Sequence, residues 1–206
     1  MQPAKVNSQQ NQKKLYLEPN FQIICAVSLV AVLGVASVTP AFPKLAEALN
    51  VPPTNIGWLV TAFTFPTLIL GPVIGVLADR IGRKKILVPS LILFGIAGTA
   101  CAFVRDFNLL LLLRFIEGIG AAALLSMSVT LIGDLYAGER RAEAMGYNAS
   151  VSSIGTALYP TIGGALATIG WYYPFALPMV AIPIGLVVFF GLKILSQKEN
   201  VTLKSI

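Results

Sequence analysis

Apolar runs of about twenty residues return six times along this chain, with few charges inside them. A helix rises ~1.5 Å per residue, so about 20 apolar residues cross the ~30 Å hydrocarbon core of a bilayer. The runs cover Phe21–Leu45, Ile56–Ala78, Ile86–Val104, Asn108–Ile132, Ala144–Ile169 and Tyr172–Leu195. Only 12% of the 206 residues are charged, against roughly 25% in soluble domains. So few charges cannot coat a water-facing surface. The expectation is an all-α membrane protein of six transmembrane helices, with the lipid bilayer as its first partner.

The net charge of +6 raises the question of a nucleic-acid partner, and its distribution answers it. Lys5, Lys13 and Lys14 precede the first run, and Arg80, Arg83, Lys84 and Lys85 separate the second from the third. Arg140 and Arg141 lie between the fourth and fifth, and Lys193, Lys198 and Lys204 close the chain. The opposite side holds Lys44 and Arg105, and Arg114 sits inside a run. Positive charge gathered in alternate short loops is the positive-inside pattern. It places both termini in the cytoplasm, in a multi-pass protein of the cell membrane, and no nucleic acid is expected. Residues 1–20 read as a polar cytoplasmic tail, 21–195 as the bundle, and 196–206 as the start of a cytoplasmic loop or tail. The amino-terminal segment lacks a signal-peptide cleavage pattern, so the first span reads as retained.

Chemistry of the enzymatic kind is poorly supplied. The chain has no His, the commonest member of nucleophile–base triads and zinc sites. Cys25 and Cys101 both fall within spans and read as small buried residues. No enzyme, metal or organic cofactor is expected.

Three segments carry the mechanism. Gly75-Val-Leu-Ala-Asp79-Arg80-Ile-Gly82-Arg83-Lys84-Lys85 joins the second and third spans. Gly75 would let the second span approach a neighbouring helix, Gly82 would permit a tight turn, and Asp79 could accept from an Arg or sit at a helix amino terminus. A simple positive-inside anchor would account for the cations but not for Asp79 or the glycines. The fourth span carries Arg114-Phe-Ile-Glu117-Gly118-Ile-Gly120. Ionisable groups in hydrocarbon are costly, about 2.5–3.5 kcal/mol for a mid-helix Arg on insertion scales, so Arg114 and Glu117 should face a cavity or each other. Three residues apart, they share a helical face. A proton-carrying pair and a static ion pair both satisfy that spacing. Finally, Leu33-Gly34, Pro40 and Pro43 in the first span, and Gly155, Tyr159, Pro160, Gly163 and Gly164 in the fifth, supply bending and close packing. Ordinary Gly and Pro residues of a membrane helix would read the same way. Gly71-Pro72-Val-Ile-Gly75 in the second span is echoed by Tyr159-Pro160-Thr-Ile-Gly163 in the fifth, the trace that two inverted three-helix repeats would leave.

These segments resemble the signatures of the major facilitator superfamily. The loop matches Gly-x-x-x-Asp-Arg-x-Gly-Arg-Lys/Arg completely, and the fourth span resembles Arg-x-x-Gln-Gly-x-Gly-Ala, with Glu117 where Gln is usual. The first and fifth spans resemble the Leu-Gly-x5-Pro-x-x-Pro and Gly-x-x-x-Gly-Pro-x-x-Gly-Gly patterns of the twelve-helix drug:proton antiporter branch. Tyr159 departs from the latter by replacing its central Gly. The resemblance implies half of a transporter, formed by two inverted three-helix repeats. It implies a proton gradient as energy source and a small hydrophobic or amphipathic substrate to be exported. Sugar or metabolite export, and a transport-inactive half-size subunit, are the alternatives.

In that reading Arg114 and Glu117 form the proton or substrate pathway. Gly75, Asp79, Arg80, Gly82, Arg83, Lys84, Asp134 and Arg141 form the cytoplasmic gate, with Asp134 paired to Arg83 or Arg141. Pro40, Pro43, Gly118, Gly155, Pro160, Gly163 and Gly164 bend and pack the helices. A second six-helix half, or another copy of the chain, is the expected partner. Without it, Arg114 and Glu117 are expected to lie on a face exposed to lipid. Lys44, Glu47, Arg105 and Asp106 read as solvated helix ends.

Overall fold

The computed structural model describes residues 15–191, and every regular element among them is helical. The expected tail to residue 14 and the segment from 192 onward, with their six lysines, lie outside the described residues.

The first span is a broken helix. It runs as α1 (Pro19–Ala36), a 3-10 turn (Thr39–Ala41) and α2 (Phe42–Leu49). Pro40 and Pro43 occupy the first turns of the last two pieces, where a missing N–H leaves no bond unmade. The bend expected there is thus a full interruption. Asn50 then stops α2 in the left-handed conformation, at φ 51°.

A short turn, α3 (Pro53–Ile56), leads into α4 (Trp58–Ile81), which continues through Pro66 and Pro72. Gly82, at φ 109°, turns the chain into α5 (Arg83–Cys101). Few residues other than glycine adopt that angle, so the tight turn expected at Gly82 is found. Next comes α6 (Phe107–Leu135), capped by the Asp106 carboxylate, which accepts from the Leu109 N–H at 2.8 Å.

Two expected boundaries move. The charged connection read over Gly133–Glu143 shrinks to Tyr136 and Ala137, because α7 (Gly138–Ile169) begins six residues before the apolar run does. Residues 139–143 (Glu-Arg-Arg-Ala-Glu) are good helix formers, and Glu139 suits the positive end of a helix dipole. The last span opens as a 3-10 segment (Tyr173–Val180), in which Pro174 and Pro178 cannot donate, before α8 (Ala181–Gly191) takes over.

Five helical stretches combine spanning length with apolar composition: Pro19–Leu49, Pro53–Ile81, Arg83–Cys101, Phe107–Leu135 and Tyr173–Phe190. α7 is long enough at 32 residues but more polar, and Ser150, Ser153, Thr156 and Thr161 are exposed along it. Lipid chains offer such hydroxyls no partner beyond their own helix.

α6 is the central element, packed chiefly on α4 and α5, while α1 packs on α7. Small residues set the spacing. A Cβ on Gly118 would stand 2.2 Å from the Phe63 carbonyl oxygen, and one on Gly163 only 1.8 Å from that of Ser37. Gly155 abuts Leu29, whereas Gly164 leaves Pro40 at an ordinary 3.6 Å. Gly75 departs from expectation: nothing lies within 4 Å of where its Cβ would be, so it makes no close helix contact in this bundle. The core divides into two apolar clusters, one around Phe21, Phe94 and Met127, the other around Leu45, Leu110 and Phe175. On α6 the boundary between them falls from Leu110 to Ala121.

Candidate functional site

Arg114 and Glu117 occupy that boundary. Their i,i+3 spacing brings Arg114 Nη1 to 3.0 Å from Glu117 Oε2, and the same nitrogen donates to the Gly34 carbonyl at 2.7 Å. Gly34 can accept because α1 ends just beyond it. The Val38 N–H, which a continued helix would direct at Gly34, bonds Val35 instead. The interruption before Pro40 therefore supplies the acceptor that Arg114 uses. Two aromatic rings complete the cage: the guanidinium carbon lies 4.8 Å from the Phe175 centroid and 5.8 Å from that of Phe63.

The pair is enclosed by this bundle alone, with Arg114 2% and Glu117 0% exposed. The expectation that an isolated half would present both residues to lipid is overturned. α1, α4, α5 and the 3-10 segment already surround them, because Gly34 and Gly98 have no side chain to hold off the rings of Phe63 and Pro178. Arg114 Nε and Glu117 Oε1 have no hydrogen-bond partner among the described residues. An ion pair here is neutral overall, and a proton taken by Glu117 would leave one uncompensated guanidinium in a dry site.

At the end of the bundle that carries the Gly82 turn, Arg83 binds two carboxylates. It meets Asp79 at 2.9 Å, one turn back on α4, and it pairs with Asp134 at the end of α6. Of the two partners expected for Asp134, Arg83 is the one found. Arg141 lies over Gly133 instead, with Nη2 3.3 Å from the position of a Cβ there. Arg80 is exposed, and Lys84 Nζ stands 5.0 Å over the Phe189 ring of α8.

A second cluster at this end escaped sequence reasoning. Glu18, just before α1, accepts from the Tyr136 hydroxyl at 2.8 Å and pairs with Arg140 on α7. Burial, and then the hydrogen bond to Glu18, raise the phenol well above its usual range. The available signal was a lone acidic residue immediately ahead of Pro19, at a helix start. At the opposite end, three charges read as solvated have partners. Lys44 donates to the Thr168 carbonyl at 3.3 Å, Asp106 caps α6, and Arg105 lies 4.9 and 4.8 Å from the rings of Trp171 and Tyr172. Among the described residues, no three His, Cys, Asp or Glu side chains converge as metal ligands would.

Residues 24–205 match the sequence model of the Major Facilitator Superfamily. The chain belongs to that superfamily. Among curated proteins it is similar to the bacillibactin exporter of Bacillus subtilis, 31% identical over 163 residues, which are 76% of this chain and 40% of the exporter. It is also similar to the quinolone resistance protein NorA of Staphylococcus aureus, 33% identical over 143 residues, 69% of this chain and 37% of NorA. This major facilitator chain thus spans about two fifths of the length of those relatives. Among solved structures it resembles the human organic anion transporter MFSD10, with a TM-score of 0.69 at 20% identity, over 84% of this chain and 47% of that one. The six helical stretches are accordingly half of a major facilitator fold.

Proposed function

We propose that the chain is the amino-terminal half of a proton-coupled secondary transporter that exports small hydrophobic or amphipathic compounds. The observation that carries this reading is the Arg114–Glu117 pair, buried between the two core clusters and tied to the Gly34 carbonyl. A titratable carboxylate in that position is costly to keep, and carrying a proton is one of the uses to which such groups are put in membranes. The names of its relatives, a bacillibactin exporter and a quinolone resistance protein, favour outward movement of organic compounds.

A second six-helix unit completes the cavity in this reading. The exposed hydroxyls of α7 and the open space at Gly75 on α4 support it, since both suit protein or water better than acyl chains. The Arg83 turn faces the cytoplasm, as do both termini, in keeping with the cation distribution. Breaking and remaking the Arg83 contacts to Asp79 and Asp134 accompanies alternating access, with Arg80, Lys84 and Arg141 at the rim.

The test is proton-driven efflux from membrane vesicles carrying the chain together with a second six-helix unit. An amphipathic dye should leave the wild-type vesicles only under a pH gradient. Glu117→Gln should abolish the gradient dependence. Unchanged gradient-driven flux in Glu117→Gln would remove the proton role.

A further inference from the structure

The two oxygens of Glu117 have different surroundings. Oε2 accepts from Arg114, on the side that also holds the Gly34 carbonyl and the Phe63 ring. Oε1 is buried with no hydrogen-bond partner among the described residues, and it faces α5. A Cβ on Gly98 would stand 2.8 Å from Oε1, and 2.5 and 2.7 Å from Cβ and Cγ of Pro178. Three elements therefore converge on one point: the carboxylate from α6, bare backbone from α5, and a proline from the 3-10 segment. This close approach is possible only because residue 98 has no side chain. Thr99, the next residue, also has its hydroxyl oxygen buried without a partner.

We propose that Gly98 is a positioning residue for Glu117, and that the carboxyl proton sits on Oε1, where α5 meets the Tyr173–Val180 segment. This placement rests on the reading of Glu117 as the proton carrier. Oε2 already accepts a charge-assisted hydrogen bond, whereas Oε1 has all its acceptor capacity free. On protonation an O–H bond forms at Oε1 and one breaks in a hydronium ion or water; release reverses the exchange. The charged and titratable groups facing the carboxyl are Arg114 from α6 and the Cys101 thiol from α5. α1 presents the Gly34 carbonyl, α4 the Phe63 ring, and the 3-10 segment Phe175 and Pro178, none of which titrates.

The experiment is an infrared pH titration of the chain in bilayer nanodiscs, reading the carbonyl stretch of the protonated carboxyl group. The Glu117 band is assigned by its loss in Glu117→Gln. Gly98→Ala sets a methyl group against Oε1 and is expected to displace the midpoint by about one pH unit, a tenfold change in proton affinity. Gly95→Ala is the packing control. Its Cβ would meet Ile182 Cγ1 at 2.7 Å and the Pro178 carbonyl at 3.2 Å, on the same seam, with no Glu117 atom among its nearest neighbours. It is expected to leave the midpoint in place. Should Gly98→Ala not fold, Pro178→Ala removes the ring that meets Gly98 beside Oε1 and is expected to give a comparable displacement. A midpoint unmoved by these variants, or moved equally by Gly95→Ala, overturns the role of Gly98 and leaves Glu117 as carrier. A spectrum in which Glu117→Gln removes no titrating band overturns both.

Discussion

The guanidinium of Arg114 donates to the main-chain carbonyl of Gly34 at 2.7 Å, joining the first third of α6 to the place where α1 breaks. An ionised side chain is thereby satisfied by backbone that an unbroken helix would have used itself. Glu117 neutralises the same nitrogen, and neither residue reaches solvent or lipid.

Removing one member of this pair strands the other. Glu117→Ala is expected to lower stability by about 3–5 kcal/mol, because it leaves Arg114 charged and uncompensated. Arg114→Ala should cost a similar amount, and the double variant should cost clearly less than the two together. Denaturant unfolding in detergent micelles measures this. Strict additivity would show that the two side chains do not interact.

Two adjacent glycines on α7 should respond oppositely to the same substitution. Gly163→Ala drives a methyl into the Ser37 carbonyl, 1.8 Å away, and is expected to cost about 1–3 kcal/mol as α7 is forced off α1. Gly164→Ala meets Pro40 at 3.6 Å and gains helix propensity, up to about 1 kcal/mol, so it should be neutral or stabilising. Thermal unfolding of the two variants decides it, and equal losses would contradict the packing described.

Arg83 offers a different balance. Its partners are well exposed, the side chain of Asp79 at 55% and that of Asp134 at 39%, so each contact is screened by water. Arg83→Ala is expected to change stability by about 1 kcal/mol or less. Asp79→Asn and Asp134→Asn should show non-additive effects, because one guanidinium serves both carboxylates. A loss of several kcal/mol on removing Arg83 would mark the contacts as structural braces rather than as a latch able to open.

The Glu18–Tyr136 bond gives a pH dependence at the alkaline end. The folded phenol is raised above its ordinary value of about 10, so the folded state holds that proton more tightly than the unfolded state does. The contribution is fully present below about pH 10 and is lost as pH rises through the folded value. Tyr136→Phe should remove about 1 kcal/mol near neutrality and flatten the alkaline decline in stability. An alkaline stability profile identical in the two proteins would exclude this linkage.

Much of this architecture is written locally. The apolar runs mark the six helical stretches, Gly82 marks the turn, and the i,i+3 spacing of Arg114 and Glu117 marks their pairing. What could not be read depends on distant contacts. Gly34 and Arg114 are 80 residues apart, and nothing in either segment names the other, although Leu33-Gly34 and the prolines after it flagged the break. Glu18 and Tyr136, 118 residues apart, meet only once α1 packs beside α7. The start of α7 was hidden because Glu, Arg and Ala between spans suit a loop and a helix equally well. The burial of the ion pair within one half depended on Gly98 and Pro178 closing over it, a tertiary fact with no periodic signature.

Proton release on substrate binding tests the central claim most directly. Protein purified in bilayer nanodiscs, together with a second six-helix unit, would be held in weakly buffered solution with a pH indicator, and an amphipathic cation added. The account predicts a burst of protons from the wild type and none from Glu117→Gln at equal substrate binding. Release of the same size from Glu117→Gln would contradict it.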